Sequence, residues 1–121
     1  MPDVEPATYE GGCQCGRVRY RVELTLDRAH ACNCSRCQKV GSLLAFAPID
    51  KFELVSGEDE MTEYLFNKHV IHHYFCATCG VQSFSRGRGP GGAEMAAINV
   101  RCLDGVEPDD IPVKKVNGRA F

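Results

Sequence analysis

Seven cysteines fall into three tight clusters: Cys13-Gln-Cys15, Cys32-Asn-Cys34-Ser-Arg-Cys37 and Cys76-Ala-Thr-Cys79. Thiols at these short spacings can converge on one metal ion. Zn²⁺ takes four ligands in a tetrahedron, with sulfur at roughly 2.3 Å. A site with four protein ligands is closed and structural. A site with three keeps one position for substrate. We assign the closed site to Cys13, Cys15, Cys76 and Cys79, and the open site to Cys32, Cys34 and Cys37. Counting ligands alone also permits another division, with Cys32 or Cys34 joining Cys76 and Cys79. Three thiolates weaken a zinc ion as a Lewis acid, so hydrolysis by bound hydroxide is a poor expectation. A soft donor set accepts a fourth sulfur readily. The thiolate is the nucleophilic form of a thiol. The chemistry expected at the open site is therefore that of a small thiol meeting an electrophile.

Eight cysteines in a short secreted chain would point to disulfides. Their clustering argues against a framework of spaced bridges. The polar start Met1-Pro-Asp-Val-Glu-Pro has neither a basic segment nor an apolar one, so no secretory signal is visible and a cytoplasmic protein is expected. A thioredoxin-type motif would need a βαβ context, whereas Cys76–Cys79 lies between strand-like runs. Cys102, the eighth cysteine, reads as a buried free thiol. Its alternative is to complete the middle cluster and close it.

Candidate proton donors are few. His69 and His73 share one face of a strand-like run, with His72 on the other. Histidine suits proton transfer near neutrality. His30 precedes the middle cluster by two residues and could stand just behind it. Arg86 and Arg88 could hold a ligand carboxylate, although their loop lacks the Lys-Ser/Thr of a nucleotide-binding loop.

These residues need elements to place them. Val18, Tyr20, Val22 and Leu24 alternate with Arg17, Arg19, Arg21 and Glu23, the pattern of a half-buried strand. The arginine face could meet an anion or simply water. Residues 34–40 predict a helical turn capped by Ser35 and stopped by Gly41. Strands are expected over 43–47 and 52–55. A hairpin is expected about Asn67-Lys68, between 63–66 and 70–75, and its second strand leads into Cys76. Further strands are expected over 81–85 and 94–100. Residues 86–92 predict a flexible loop, and the tail from Asp104 to Phe121 an irregular one. The fold class is mostly β.

The 121 residues fit one domain, 1–121, with 1–11 as a loose tail. The net charge of −2 gives no reason to expect nucleic acid or an anionic membrane as partner. No apolar run approaches the roughly 20 residues of a membrane helix.

Four segments carry a family resemblance: Gly11-Gly-Cys-Gln-Cys-Gly16, Cys32 to Cys37, Tyr74-Phe-Cys-Ala-Thr-Cys-Gly80, and Ile98-Asn-Val-Arg-Cys-Leu-Asp104. From about Gly11 to Arg119 the chain resembles the glutathione-dependent formaldehyde-activating family, which includes centromere protein V-like proteins. The resemblance implies a β-tent fold of short coiled antiparallel sheets around zinc knuckles. It implies a structural zinc on Cys13, Cys15, Cys76 and Cys79, and a catalytic zinc on Cys32, Cys34 and Cys37. It implies carbon–sulfur lyase chemistry, the reversible joining of formaldehyde and glutathione into S-(hydroxymethyl)glutathione.

Two other functions use the same residues. One is a non-catalytic zinc module presenting a surface, and the other a thiol or zinc-stress sensor switched at the middle cluster. A small-molecule pocket at exposed thiols favours the enzyme. A broad apolar patch without a pocket favours the module.

Overall fold

The computed structural model describes residues 5–65, 71–88 and 90–118. The first half holds β1 (Ala7–Gly12), β2 (Arg19–Leu24), β3 (Ala29–Cys32), the helix α1 (Ser35–Val40), β4 (Leu44–Pro48) and β5 (Phe52–Ser56). The second half holds β6 (Met61–Tyr64), β7 (His72–Cys76), β8 (Phe84–Arg88), β9 (Glu94–Asn99) and β10 (Val113–Val116). The fold is mostly β, as the residue pattern predicts. Among the described residues no helix is long and apolar enough to cross a membrane.

The strands form two sheets. One has the order β1-β2-β5 and the other β10-β3-β4-β9-β8-β7-β6. Every pairing is antiparallel except β10 on β3, which is parallel. The core lies where the sheets face each other. Val18, Tyr20, Val22 and Leu24 are all buried, as their alternation requires. They meet Ala45, Ala47, Ala96 and Ile98 of the larger sheet within one cluster. Small alanines on that side let Tyr20, Phe52 and Phe84 fill the space between. The Tyr20 ring meets Phe52 at 5.3 Å and Phe84 edge-on at 5.7 Å. Its hydroxyl donates to the Ser83 carbonyl at 3.1 Å, so the buried polar tip is satisfied. Burial raises the Tyr20 pKa well above its ordinary value.

Alternation along each strand gives the larger sheet a second face. Leu44 and Phe46 on β4, Met95 and Ala97 on β9, and His30 and Cys32 on β3 all point away from that core. They line a cavity instead. The sheet is thus buried on one side and bears the candidate site on the other.

Several expectations need correction. Residues 7–11 belong to β1 rather than to a loose tail, because β2 supplies their ladder from Ala7↔Leu24 to Gly12↔Arg19. Ser35 is not the helix cap: the Cys34 side chain accepts from the Cys37 amide, and Gly41 ends the turn at φ 75°. Arg86, Gly87 and Arg88 lie in β8, held between β7 and β9, not in a loop. The tail contributes β10. The sheets are not wholly antiparallel, since β10 runs alongside β3. The hairpin turn at Asn67-Lys68 and His69 lie outside the described residues.

The arginine face of β2 meets the protein's own carboxylates. Arg21 reaches Glu53 at 2.9 Å and Glu10 at 3.3 Å, Arg17 reaches Glu60 at 3.9 Å, and Arg19 pairs with Asp104. Such exposed pairs each contribute about 0–1 kcal/mol.

Candidate metal centre

All eight cysteines are free thiols. Seven of them gather into two groups, one of Cys13, Cys15, Cys76 and Cys79 and one of Cys32, Cys34 and Cys37. Within each group the sulfurs lie within 4.8 Å of one another. Cys102 is in neither group. Its thiol packs near the Gln82 carbonyl at 4.0 Å, and burial pushes its pKa up to about 11.

Two matching turns build the four-cysteine group. Cys13 ends the β1 arm, where its amide bonds Val18 O at 3.0 Å and Gly16 closes the turn onto Cys13 O. Cys76 ends β7 in the same manner, bonding Val81 O at 3.1 Å while Gly80 returns to Cys76 O at 2.8 Å. Gly16 and Gly80 have φ of 86° and 79°, a region glycine enters without steric cost. One turn belongs to each sheet, so this group ties the sheets together.

The sulfur spacing fits zinc. A tetrahedron with sulfur at about 2.3 Å has edges of roughly 3.8 Å. Cys15 Sγ stands 3.6 Å from both Cys13 Sγ and Cys76 Sγ. Backbone amides of Val18, Thr78 and Cys79 approach the sulfurs at 3.3–3.5 Å, the donors a thiolate needs. Amide donation from Val81 leads in lowering the Cys79 pKa to about 6, whereas burial raises that of Cys13.

The three-cysteine group is built differently. Cys32 ends β3, Cys34 caps α1, and Cys37 sits inside the helix's first turn. The Cys37 amide donates to Cys34 Sγ at 3.3 Å and the Cys34 amide to Cys32 Sγ at 3.5 Å. Burial pushes the Cys37 thiol up to about 12, with Cys34 adding to the effect. Burial also opposes ionisation of Cys34, but the Cys37 backbone and side chain outweigh it and the pKa falls. Gly118 passes directly over this group. A β-carbon there would lie deep inside contact with Cys32 Sγ and 3.1 Å from Cys34 Cβ. The missing side chain leaves room beside the sulfurs, and the donor set suits zinc.

This second group opens onto a cavity of about 500 Å³, which the four-cysteine group does not line. Small-molecule sites commonly measure roughly 300–1,000 Å³. His30, His73, Arg86 and Arg88 all reach its wall. His30 packs on Phe46 at 5.2 Å; burial lowers its pKa, and Lys114 and Arg28 lower it further. His73 is 4% exposed, and burial pulls its pKa down to about 4. His72 points elsewhere and bonds Glu63 at 3.0 Å. The Arg86 guanidinium lies 5.7 Å from both the Phe52 and Tyr74 rings.

The sequence matches the profile of the glutathione-dependent formaldehyde-activating enzyme family over residues 8–115. The chain belongs to that family. A Penicillium rubens protein whose name proposes it as a glutathione-dependent formaldehyde-activating enzyme is 30% identical over 88 residues. That match covers 65% of this chain and 46% of the relative, so the chain spans less than half of the relative's length. A crystal structure of a Rhodobacter sphaeroides protein has the same fold, with a TM-score of 0.77 and 33% identity over 87% of this chain and 99% of that one.

The motifs of this family do not reveal everything around the site: Gln82 and Gly118 line the cavity, and Arg36 reaches it through its hydrogen bonds to Gln82. Arg36 had a signal in its place between Cys34 and Cys37. Gln82 had none, because a lone glutamine after a zinc knuckle looks like any other.

Proposed function

We propose that the chain is a zinc-dependent carbon–sulfur lyase of the S-(hydroxymethyl)glutathione synthase type, joining a small thiol to formaldehyde or a related aldehyde. One observation carries this reading: the three-cysteine group opens onto the cavity, while the four-cysteine group does not line it. Cys32, Cys34 and Cys37 would hold a catalytic zinc with a place left for a fourth ligand. Cys13, Cys15, Cys76 and Cys79 would hold a structural one. A zinc ion at the open site supplies affinity for sulfur and favours its deprotonated form.

The protein's own residues do the rest. Leu44, Phe46 and Met95 give the space beside the sulfurs an apolar lining. The Arg86 guanidinium turns to the Phe52 and Tyr74 rings on the sheet's other face, so of the two arginines at the cavity Arg88 is the one to pair with the carboxylate of a thiol such as glutathione. His30 and His73 place imidazoles within the same space. Holding thiol and aldehyde side by side turns a bimolecular encounter into a local one. The cavity also favours this reading over a purely surface-presenting zinc module.

The test is exchange spectroscopy by NMR with formaldehyde and glutathione. The zinc-loaded chain is expected to interconvert the adduct faster than enzyme-free buffer and faster than Cys34→Ser. Equal rates in all three would reject the reading.

A further inference from the structure

The face of the larger sheet that bears the three-cysteine group has an apolar floor. Phe46 of β4 stands opposite Ala97 of β9, and Ala97 in turn stands opposite Ser85 of β8. Two residues along, Met95 stands opposite Gly87. Side chains two apart on a strand share a face, so all five positions lie on the cavity side. Ala97, Ser85 and Gly87 are small, which sinks the floor between the larger Phe46 and Ile71. A β-carbon on Gly87 would come within 3.2 Å of Ile71 Cγ1, so its absence lets Ile71 lie against that strand. Phe46 and Ile71 are each 48% exposed, large apolar side chains left facing one space. Little polarity is added from within. Ser85 is 4% exposed, and the Gln82 amide is engaged by Arg36 and His73.

We propose that the aldehyde taken by this site carries an apolar chain or ring, and that Phe46 and Ile71 select it. The proposal rests on the thiol–aldehyde reading above and narrows its electrophile. Formaldehyde has no carbon beyond its carbonyl to bury against the floor. Glutathione is no better suited to it, because its amides would lose water there without gaining partners. Arg88 is exposed and would hold the thiol's carboxylate at the water-facing rim, which leaves the floor to the other reactant. The added carbons do not change the reaction. The sulfur lone pair forms the C–S bond and the C=O π pair becomes a lone pair on oxygen. That oxygen takes up a proton from water, balancing the one the thiol released on ionising. Each methylene laid on the floor leaves water for an apolar surface, a gain of up to about fourfold.

The experiment uses the full, reduced, zinc-loaded chain with glutathione and a series of linear aldehydes: formaldehyde, propanal, pentanal and heptanal. Exchange spectroscopy gives the acceleration over buffer for each, so the aldehydes' own reactivities divide out. Acceleration below saturation is expected to rise along the series, with heptanal about tenfold or more above formaldehyde. Ile71→Ser and Phe46→Ser remove apolar surface from half-exposed positions, and are expected to flatten the rise. Two variants keep the test open if one fails to fold. A change in the slope of the series separates selection from a general loss of activity, which would lower every aldehyde alike. A flat series with rates above buffer would overturn the proposal alone, as would greatest acceleration with formaldehyde or an unchanged slope in both variants. A rise that follows the length of an alkyl thiol instead of the aldehyde would also overturn it. Buffer rates for every aldehyde, formaldehyde included, would instead reject the underlying reaction and the proposal with it.

Discussion

Gly118 lies so close to Cys32 that the residue after β10 forms a wall of the three-cysteine group. A β-carbon at this position would enter contact with Cys32 Sγ and reach 3.1 Å from Cys34 Cβ. Its φ is not in the left-handed region, so the demand is for space alone. β10 brings it there by running parallel to β3, with Val116 opposite Cys32. Gly118→Ala should therefore weaken metal binding at this group about tenfold or more and leave the four-cysteine group loaded. Elemental analysis is expected to fall from two zinc ions per chain toward one, with little change in Tm. Full loading of both sites in the variant would show that Cys32 moves aside without cost.

The two cysteine groups should also differ in what they hold together. Cys76 belongs to the clip between the sheets, and metal binding energy there is folding energy. Cys76→Ser is expected to destabilise the chain by about 3 kcal/mol or more, with Tm falling by roughly 10 °C. Cys34→Ser should cost far less, since Cys32 and α1 border the cavity rather than joining sheets. It should still lose the second zinc. Thermal unfolding of both variants beside wild type, with zinc counted, decides the matter. Equal losses would mean that both groups are structural.

The residues carrying the strongest physical demands were legible in the sequence. Clustered thiols and strict alternation from Arg17 to Leu24 each had one economical reading. What stayed hidden depended on distant partners. β3 reads Ala-His-Ala-Cys and has little strand preference of its own. It becomes a strand because β10 and β4 flank it. β10 lies in a polar, proline-bounded tail, and its parallel partner is far away in sequence. Arg86-Gly-Arg88 has the composition of a loop, yet pairing with Ala96, Met95 and Glu94 of β9 extends it. At the site, Gln82 matters through what lies on either side of its amide, and spacing carries no trace of that.

His73 should also mark the pH dependence of stability. Burial lowers its folded pKa to about 4, from an ordinary value near 6.5. The unfolded chain therefore binds a proton at higher pH than the folded one. Its contribution is fully present above pH 6.5 and is lost as pH falls toward 4, at up to about 1.4 kcal/mol per pH unit. Urea unfolding of wild type between pH 7 and 5.5 should slope more steeply than that of His73→Asn. Measuring zinc retention at each pH keeps metal loss apart from this effect. Identical slopes would show that the ring is free to ionise in the folded state.

Thiol capture at the open cluster gives the most direct chemical test. Cobalt in place of zinc makes the sulfur count visible, because thiolate charge-transfer absorption grows with each sulfur bound. Glutathione, or another small thiol, should increase that absorption in wild type. Cys34→Ser should show no increase. Charge on the thiol should matter as well, since Arg88 stands at the cavity wall, where its guanidinium donates to the Gly92 carbonyl at 3.3 Å. Arg88→Gln should weaken a carboxylate-bearing thiol by about 1 kcal/mol, roughly fivefold, and leave a neutral thiol such as mercaptoethanol unchanged. Equal weakening of both thiols would mean that Arg88 shapes the wall rather than reading charge. Absence of any thiol signal across the panel would remove sulfur as the fourth ligand, and would favour a zinc module that presents a surface instead of turning over a substrate.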